Sequence, residues 1–326
     1  MSSEDLRKRL EALNRGPVPD PAKTKAEVGA IRRTLQKKFK KAEPAASKEA
    51  APEPPQAILY RRDLPRVGPA AKPHAAPAGP PVVLEDAVPG TEVTVPNRGT
   101  AYEVTTTLAD HEGDWQPLCD AFRSALAEGD PGLCPRLAEA CDPSALAPDE
   151  MLFVDIETTG LSTSPLFLIG AMTWADGDFV IRQHLARTYA EEAAAVALFA
   201  DDLADKRLLV SFNGKTFDLP YIRMRAAALR VPLRVDLAHF DLLHVSRRIW
   251  RGHVPNCRLQ TLEQFICGRR RSGDIPGAEI PDAYHAFVRT GNARQIVDVL
   301  KHNLLDLVTM ADLMTRLPAV APEDEP

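Results

Sequence analysis

Met151-Leu152-Phe153-Val154-Asp155-Ile156-Glu157-Thr158-Thr159-Gly160 is the stretch on which the reading of this chain turns. Four apolar residues run into two carboxylates one residue apart, and then into a Thr-Thr-Gly turn. Side chains alternate faces along a β-strand, so Asp155 and Glu157 project together while Ile156 points the other way. Two carboxylates side by side at a buried strand end repel; a divalent cation between them, or a shared proton, makes the arrangement tolerable. Oxygen ligands with no neighbouring Cys or His suit Mg²⁺ or Mn²⁺ better than Zn²⁺. A solvated strand end is the competing reading of Asp-x-Glu alone, so further acidic residues have to decide.

Outward from this strand the pattern is regular. A second apolar run covers 166–174, and Asp176-Gly177-Asp178 predicts a hairpin turn into a strand over 179–185. An alanine-rich helix is expected over 190–204, a fourth strand over 207–212, a helix over 218–229, a fifth strand over 240–243 and a long last helix from about 293 to 317. Three antiparallel strands followed by β-α-β crossovers define an α/β fold: a mixed five-stranded sheet flanked by helices, occupying residues 149–318.

The flanks read differently. Residues 42–96 hold 12 of the 29 prolines, interleaved with alanine, and offer little for a core. Before them, 24–41 forms a basic amphipathic segment with Val28, Ile31, Leu35 and Phe39 on one helical face and a charge of about +6. Residues 1–81 are therefore expected to be a mostly disordered tail, its basic helix either solvated or a docking site for nucleic acid or a protein partner. Residues 82–148 are expected to form a small β/α preface packed on the main domain, and 319–326 a second disordered tail. A net charge of −5 confines any nucleic-acid contact to local patches. No apolar run of membrane-spanning length and no signal peptide is apparent, so a cytoplasmic protein without membrane contact is expected. The five cysteines form no C-x-x-C pair, which argues against a zinc site or a disulfide framework.

A second acidic site follows the fourth strand, in Asn213-Gly214-Lys215-Thr216-Phe217-Asp218-Leu219-Pro220-Tyr221. Asp218 there is either a helix N-cap or a functional carboxylate near the carboxyl ends of the strands. A third lies in the last helix, where His302 and Asp306 are four apart and share a face. Asp306 sits among leucines and valines, where it needs a cation or an arginine.

Asp155, Glu157, Asp218 and Asp306, in this order and context, resemble the DEDD (DnaQ-like) exonucleases of the ribonuclease H-like superfamily. Within it the chain is similar to the bacterial YprB-type family, on Phe167-Leu168-Ile169-Gly170, Asp241-Leu242-Leu243 with Arg248 and Trp250, Leu259-Gln260-Thr261-Leu262-Glu263, Asp274-Ile275-Pro276-Gly277 and His302-Asn303. The segment 58–65 also resembles that family's N-terminal region. The resemblance implies a 3′-5′ exonuclease cutting DNA or RNA with two Mg²⁺ or Mn²⁺ ions. Asp155 would bridge both, Glu157 and Asp306 would serve the ion carrying the attacking water, and Asp218 the other, partly through water. His302 departs from the pattern. One DEDD branch has a His five positions before the last Asp and another a Tyr four before it, whereas this chain has its His at the Tyr spacing; it can still orient or deprotonate water.

Thr158, Asn213 and Tyr221 are candidates to position substrate, with core hydrogen bonding the alternative for Asn213 and Tyr221. Between His244 and Arg271 stand seven arginines against Glu263 alone. Such a patch suits phosphates, with Arg247 and Arg248 as contacts and Trp250 as a stacking surface for a base of a single-stranded end. The alternative is that some of these arginines pair with Asp236, Asp241, Asp274 or Glu279. A non-catalytic nucleic-acid-binding or scaffold protein with the same fold is the second functional reading. An aspartyl phosphatase is disfavoured, because Asp-Ile-Glu lacks its Asp-x-Asp.

Overall fold

The computed structural model describes residues 79–320 except 112, 161–163 and 235. The expected basic helix, most of the proline-rich tail and the C-terminal tail beyond 320 lie outside the described residues.

One mixed sheet organises everything else, in the order β1-β2-β5-β4-β3-β6-β7. Its strands are β1 (Thr91–Val95), β2 (Gly99–Thr107), β3 (Met151–Thr158), β4 (Leu166–Ala175), β5 (Asp178–Leu185), β6 (Leu208–Ser211) and β7 (Ala238–Asp241). Pairing is antiparallel from β1 through β3 and parallel from β3 to β7. The expected hairpin joins β4 to β5 through the two-residue turn Asp176-Gly177. The sheet has seven strands rather than the expected five. The preface strands not only pack on the main domain but extend its sheet, satisfying their backbone groups on the outer edge of β5 with Tyr102 opposite Leu185 and Thr107 opposite Val180. Buried His184 on β5 strengthens this seam, its Nε2 2.6 Å from Asp202 Oδ2 and its Nδ1 3.3 Å from Glu103 Oε2 on β2.

Helices cover both faces: α1 (Leu84–Ala87), α2 (Gln116–Ala127), α3 (Cys134–Leu137), α4 (Glu192–Asp202), α5 (Asp218–Leu229), α6 (Leu242–Trp250), α7 (Leu259–Phe265), α8 (Ile280–Thr290) and α9 (Arg294–Met314). Strand β3 is the hinge of the arrangement, because its alternation divides the core. Leu152, Val154 and Ile156 pack with Val196, Phe199, Ile222 and Ala226 of α4 and α5. Met151 and Phe153 pack on the other face with Leu304, Leu307 and Val308 of α9. Asp155 and Glu157 follow Phe153 in phase and so emerge on the α9 side, where the buried run gives way to partial exposure. The pairing of β3 with β4 shifts register between Glu157 and Thr158, which ends the regular strand at that point.

Candidate active site

The four acidic residues arrive on three elements. Asp155 and Glu157 end β3. Asp218 occupies the first turn of α5 and is not the cap: Phe217 stands at that position and supplies no side-chain hydrogen bond. The Asp218 carboxylate accepts instead from its own backbone N–H and from that of Ile156 on β3. The turn feeding α5 is tight, with Asn213 in the left-handed region at φ 71° and Gly214 so close to the Ser211 side chain that a Cβ would collide with it. Buried Asp241 fixes this turn, accepting from the backbone N–H of Asn213 at 2.8 Å and of Lys215 at 3.0 Å.

Asp155 is held by a row of residues across three strands. It pairs with Gly170 on β4, which pairs with Gln183 on β5. The missing side chain at Gly170 makes room for the Asn303 amide of α9, which a Cβ would strike. Asn303 Nδ2 donates to Asp155 Oδ2 at 2.8 Å and to its carbonyl at 3.1 Å, while Asn303 Oδ1 accepts from Gln183 Nε2 at 2.8 Å. Beside this anchor α9 presents His302, the residue before it, and Asp306, about one turn after it. His302 Nδ1 lies 2.9 Å from Asp274 Oδ1, and its Nε2 is 3.6 Å from Asp306 Oδ2 and 4.0 Å from Glu157 Oε1.

The electrostatics report the convergence. Loss of water, reinforced by the charges of Asp306, Glu157 and Asp218, lifts Asp155 well above the usual carboxylate range, and Asn303 opposes the shift. Burial raises Glu157 to about 8, with Asp306 and Asp218 adding to it and His302 opposing. Asp218 is raised to about 7, again mainly by burial, with Asp241 and Asp306 adding. Burial disfavours charge on His302, yet its hydrogen bond to Asp274 and the charges of Asp306 and Glu157 prevail and raise it. The charge of Asp306 thus reaches Asp155, Glu157 and Asp218 alike.

Arg271 follows the alternative expected for the arginine run, pairing with acids that include Asp274. It points inward, 6% exposed, with Nη2 2.5 Å from Asp306 Oδ1, Nε 2.6 Å from Glu263 Oε2 and Nη1 3.2 Å from Asp274 Oδ2. Arg269 also turns in, toward Asp312 at 3.3 Å. The expected arginine patch is thus divided. Arg248 pairs with Glu139 rather than standing ready for phosphate, at 2.9 Å on both arms. Arg247 remains exposed on α6. Trp250 is 4% exposed within the core and has no face to offer a base, because the amphipathic α6 turns its indole toward the sheet. Tyr221 is likewise a core residue. Its hydroxyl donates to the Ser164 carbonyl at 2.7 Å and so ties α5 to the loop after β3. Thr158 Oγ1 donates to the Gly160 carbonyl at 2.8 Å, and Asn213 Oδ1 accepts from Thr216 Oγ1 at 2.7 Å. Asn303, Arg271 and the Asp274–His302 pair were missed as site residues. A signal did exist in the three-residue spacing of Arg271 and Asp274, but nothing in a sequence aims that loop at a helix 30 residues on.

Among the described residues no three Asp, Glu, His or Cys side chains are drawn into a finished cation cage. The donor set still suits a hard divalent ion. It offers carboxylate oxygens on three elements, and Asp155, Glu157 and Asp218 are raised first by burial and then by neighbouring carboxylates, costs that a bound cation would offset, whereas Asp306 has Arg271.

The chain belongs to the RNase_H superfamily, whose family model matches residues 152–318. That span begins at the second residue of β3 and runs past α9, and so takes in Asp155, Glu157, Asp218, Asp274 and Asp306. The particular relative is YprB of Bacillus subtilis (strain 168), an uncharacterized protein to which the chain is 32% identical over 170 residues, 51% of this chain and 41% of the relative. The chain thus spans under half the length of that relative. A family B DNA polymerase from the hyperthermophilic archaeon Pyrobaculum calidifontis is similar at a TM-score of 0.41 and 21% identity, covering 50% of this chain and 24% of the polymerase.

Proposed function

We propose that this chain is a metal-dependent nuclease, a 3′-5′ exonuclease that hydrolyses phosphodiester bonds of DNA or RNA at a single-stranded end. The observation that carries the reading is the gathering of carboxylates from three elements at one end of β3: Asp155, fixed by Asn303 at 2.8 Å, Glu157 and Asp306, both within 4.0 Å of His302 Nε2, and Asp218 at the start of α5. These four residues would hold two Mg²⁺ or Mn²⁺ ions. Bound there, such ions would supply Lewis-acid stabilisation of the attacking and leaving oxygens.

The chain's own groups have separable tasks. With Nδ1–H donated to Asp274, His302 keeps Nε2 toward Asp306 and Glu157 as the atom that takes a proton from an attacking water. Asp274 fixes the tautomer and the ring orientation. Asn303 keeps the Asp155 carboxylate in place, and Arg271 does the same for Asp306 while limiting the repulsion within the cluster. Exposed Arg247 is kept as a phosphate contact.

A second reading, a non-catalytic nucleic-acid-binding protein of the same fold, draws support from the Arg271–Asp306 ion pair, which already neutralises one of the four carboxylates. Cleavage separates the two. End-labelled single- and double-stranded DNA and RNA are incubated with the full chain and Mn²⁺ or Mg²⁺, alongside Asp155→Asn. Stepwise shortening from the 3′ end by wild type alone supports the exonuclease. Internal cuts refute the exonuclease assignment, and no cleavage by wild type, or equal cleavage by the variant, refutes the enzyme.

A further inference from the structure

Beside the acidic cluster lies a cavity of about 440 Å³, within the range of ligand-binding clefts. Its walls include Trp115, Arg269, Arg270, Arg271, Lys301 and Leu305. Lys301 and Leu305 are four apart on α9 and share a face, and His302 and Asp306 are the next pair round, displaced by about 100°. Arg271 and Asp274 belong to both places, the first bound to Asp306 and the second to His302. The cavity therefore shares a wall with the site.

Its charge is uneven. Glu263 and Asp274, the acids on its inner wall, are both engaged by Arg271. Arg270 and Lys301 are exposed and, among the described residues, pair with no carboxylate, leaving Asp114 as the other acid of the lining. Arg269 is braced behind them. Its guanidinium carbon lies 5.2 Å from the centre of the Trp115 ring, and its Nε and Nη1 are buried without a hydrogen-bond partner among the described residues. A second cavity of about 320 Å³ lies against the same Arg269-Arg270-Arg271 wall, so the basic run divides two adjoining hollows. Trp115 comes from the start of α2, outside the span matched by the superfamily model, so this wall combines preface and catalytic domain.

We propose that this cavity is a subsite for the backbone phosphates of a single-stranded nucleic acid, with Arg270 and Lys301 as the phosphate contacts and Arg269, stacked on Trp115, supporting them. The inference rests on the nuclease reading, which supplies the strand. An anionic backbone is favoured over an apolar ligand because the surplus side chains are cations at the rim, where they can reach a strand bound across the shared wall. Arg270 and Lys301 replace Trp250 and Arg248 as the anchors of the substrate.

Binding is measured by fluorescence polarisation of labelled 12-mers of single-stranded DNA and of RNA, using the full chain in EDTA from low to moderate salt. Arg270→Ala/Lys301→Ala is expected to weaken binding roughly tenfold at low salt and to flatten the plot of log K against log salt by about 1.4. Arg251→Ala/Arg258→Ala, which removes two exposed arginines lining neither cavity, is expected to keep wild-type affinity and slope. Thermal midpoints confirm that both variants fold. The same loss on DNA and RNA supports backbone recognition. Wild-type affinity and slope in the Arg270/Lys301 variant overturn the subsite, and so does transfer of the effect to the Arg251/Arg258 variant. The nuclease reading fails separately, in the wild-type cleavage controls with Mn²⁺.

Discussion

The sharpest consequence of the site's architecture concerns a residue with no side chain. Gly170 pairs with Asp155 across β3 and β4, and the Asn303 amide fills the space above it. In Gly170→Ala the new methyl meets the Oδ1, Cγ and Nδ2 of Asn303, none of which can yield freely. Oδ1 accepts from Gln183 and Nδ2 donates twice to Asp155. Overpacking of a buried position costs about 1–3 kcal/mol. Displacing the amide adds the loss of a hydrogen bond to a carboxylate, about 1.5–3 kcal/mol. A total near 3 kcal/mol would lower the melting temperature of a domain this size by roughly 6–12 °C. Asn303→Ser shortens the obstructing side chain and so should make the alanine at 170 cheaper. Urea unfolding of wild type, both single variants and the double variant is expected to give a favourable coupling of at least about 1 kcal/mol. Additive effects within error, or an unchanged melting temperature for Gly170→Ala, would refute the account of how Asp155 is held.

Other consequences concern charge. Glu157 and Asp218 titrate at about 8 and 7 in the fold, against about 4 in an unfolded chain, so the stability they contribute is present at acid pH and lost as the pH rises through neutrality. The metal-free protein should therefore melt lower at pH 8 than at pH 6, and Mn²⁺ should raise the midpoint more at pH 8; an equal rise at both would contradict the competition between protons and cation. Arg271→Ala leaves Glu263, Asp274 and Asp306 without their shared partner and is expected to cost about 3–5 kcal/mol in chemical unfolding, whereas a cost below 1 kcal/mol would mean the network is incidental. His302→Asn should lower kcat by about 10²–10⁴ without weakening strand binding, and Asp274→Asn should lower it less while shifting the pH profile; a loss confined to KM would remove His302 from the chemistry.

The sheet was largely legible because its signals are local. The apolar run of β3, the Asp176-Gly177 turn and the helix beginning at Asp218 each depend on residues within a few positions of one another. Three of the candidate carboxylates carry a related local signal, Asp155 and Glu157 near the end of β3 and Asp218 at the start of α5, whereas Asp306 lies in the middle of α9 and stood out only as an acid among apolar residues, four from His302. What escaped was set by tertiary contact. The β2–β5 pairing joins residues about 80 apart, so the sequence predicts a preface packed on the main domain but not one that extends its sheet. Arginine carries no periodic signal for direction, so Arg271, buried against Asp306, and Arg270, exposed beside it, look identical in sequence. Trp250 misled because an aromatic among arginines suggests stacking, while the hydrophobic face of α6 had already claimed it for the core.

The central claim is that Asp155, Glu157, Asp218 and Asp306 form a cation site. Anomalous diffraction from crystals of the full chain soaked in Mn²⁺ tests it most directly. The account predicts strong peaks bounded by these four carboxylates, with Arg271 drawn back from Asp306 or confined to its far oxygen. No peak there, with Mn²⁺ ordered elsewhere or Arg271 still holding Asp306 as now, would contradict it.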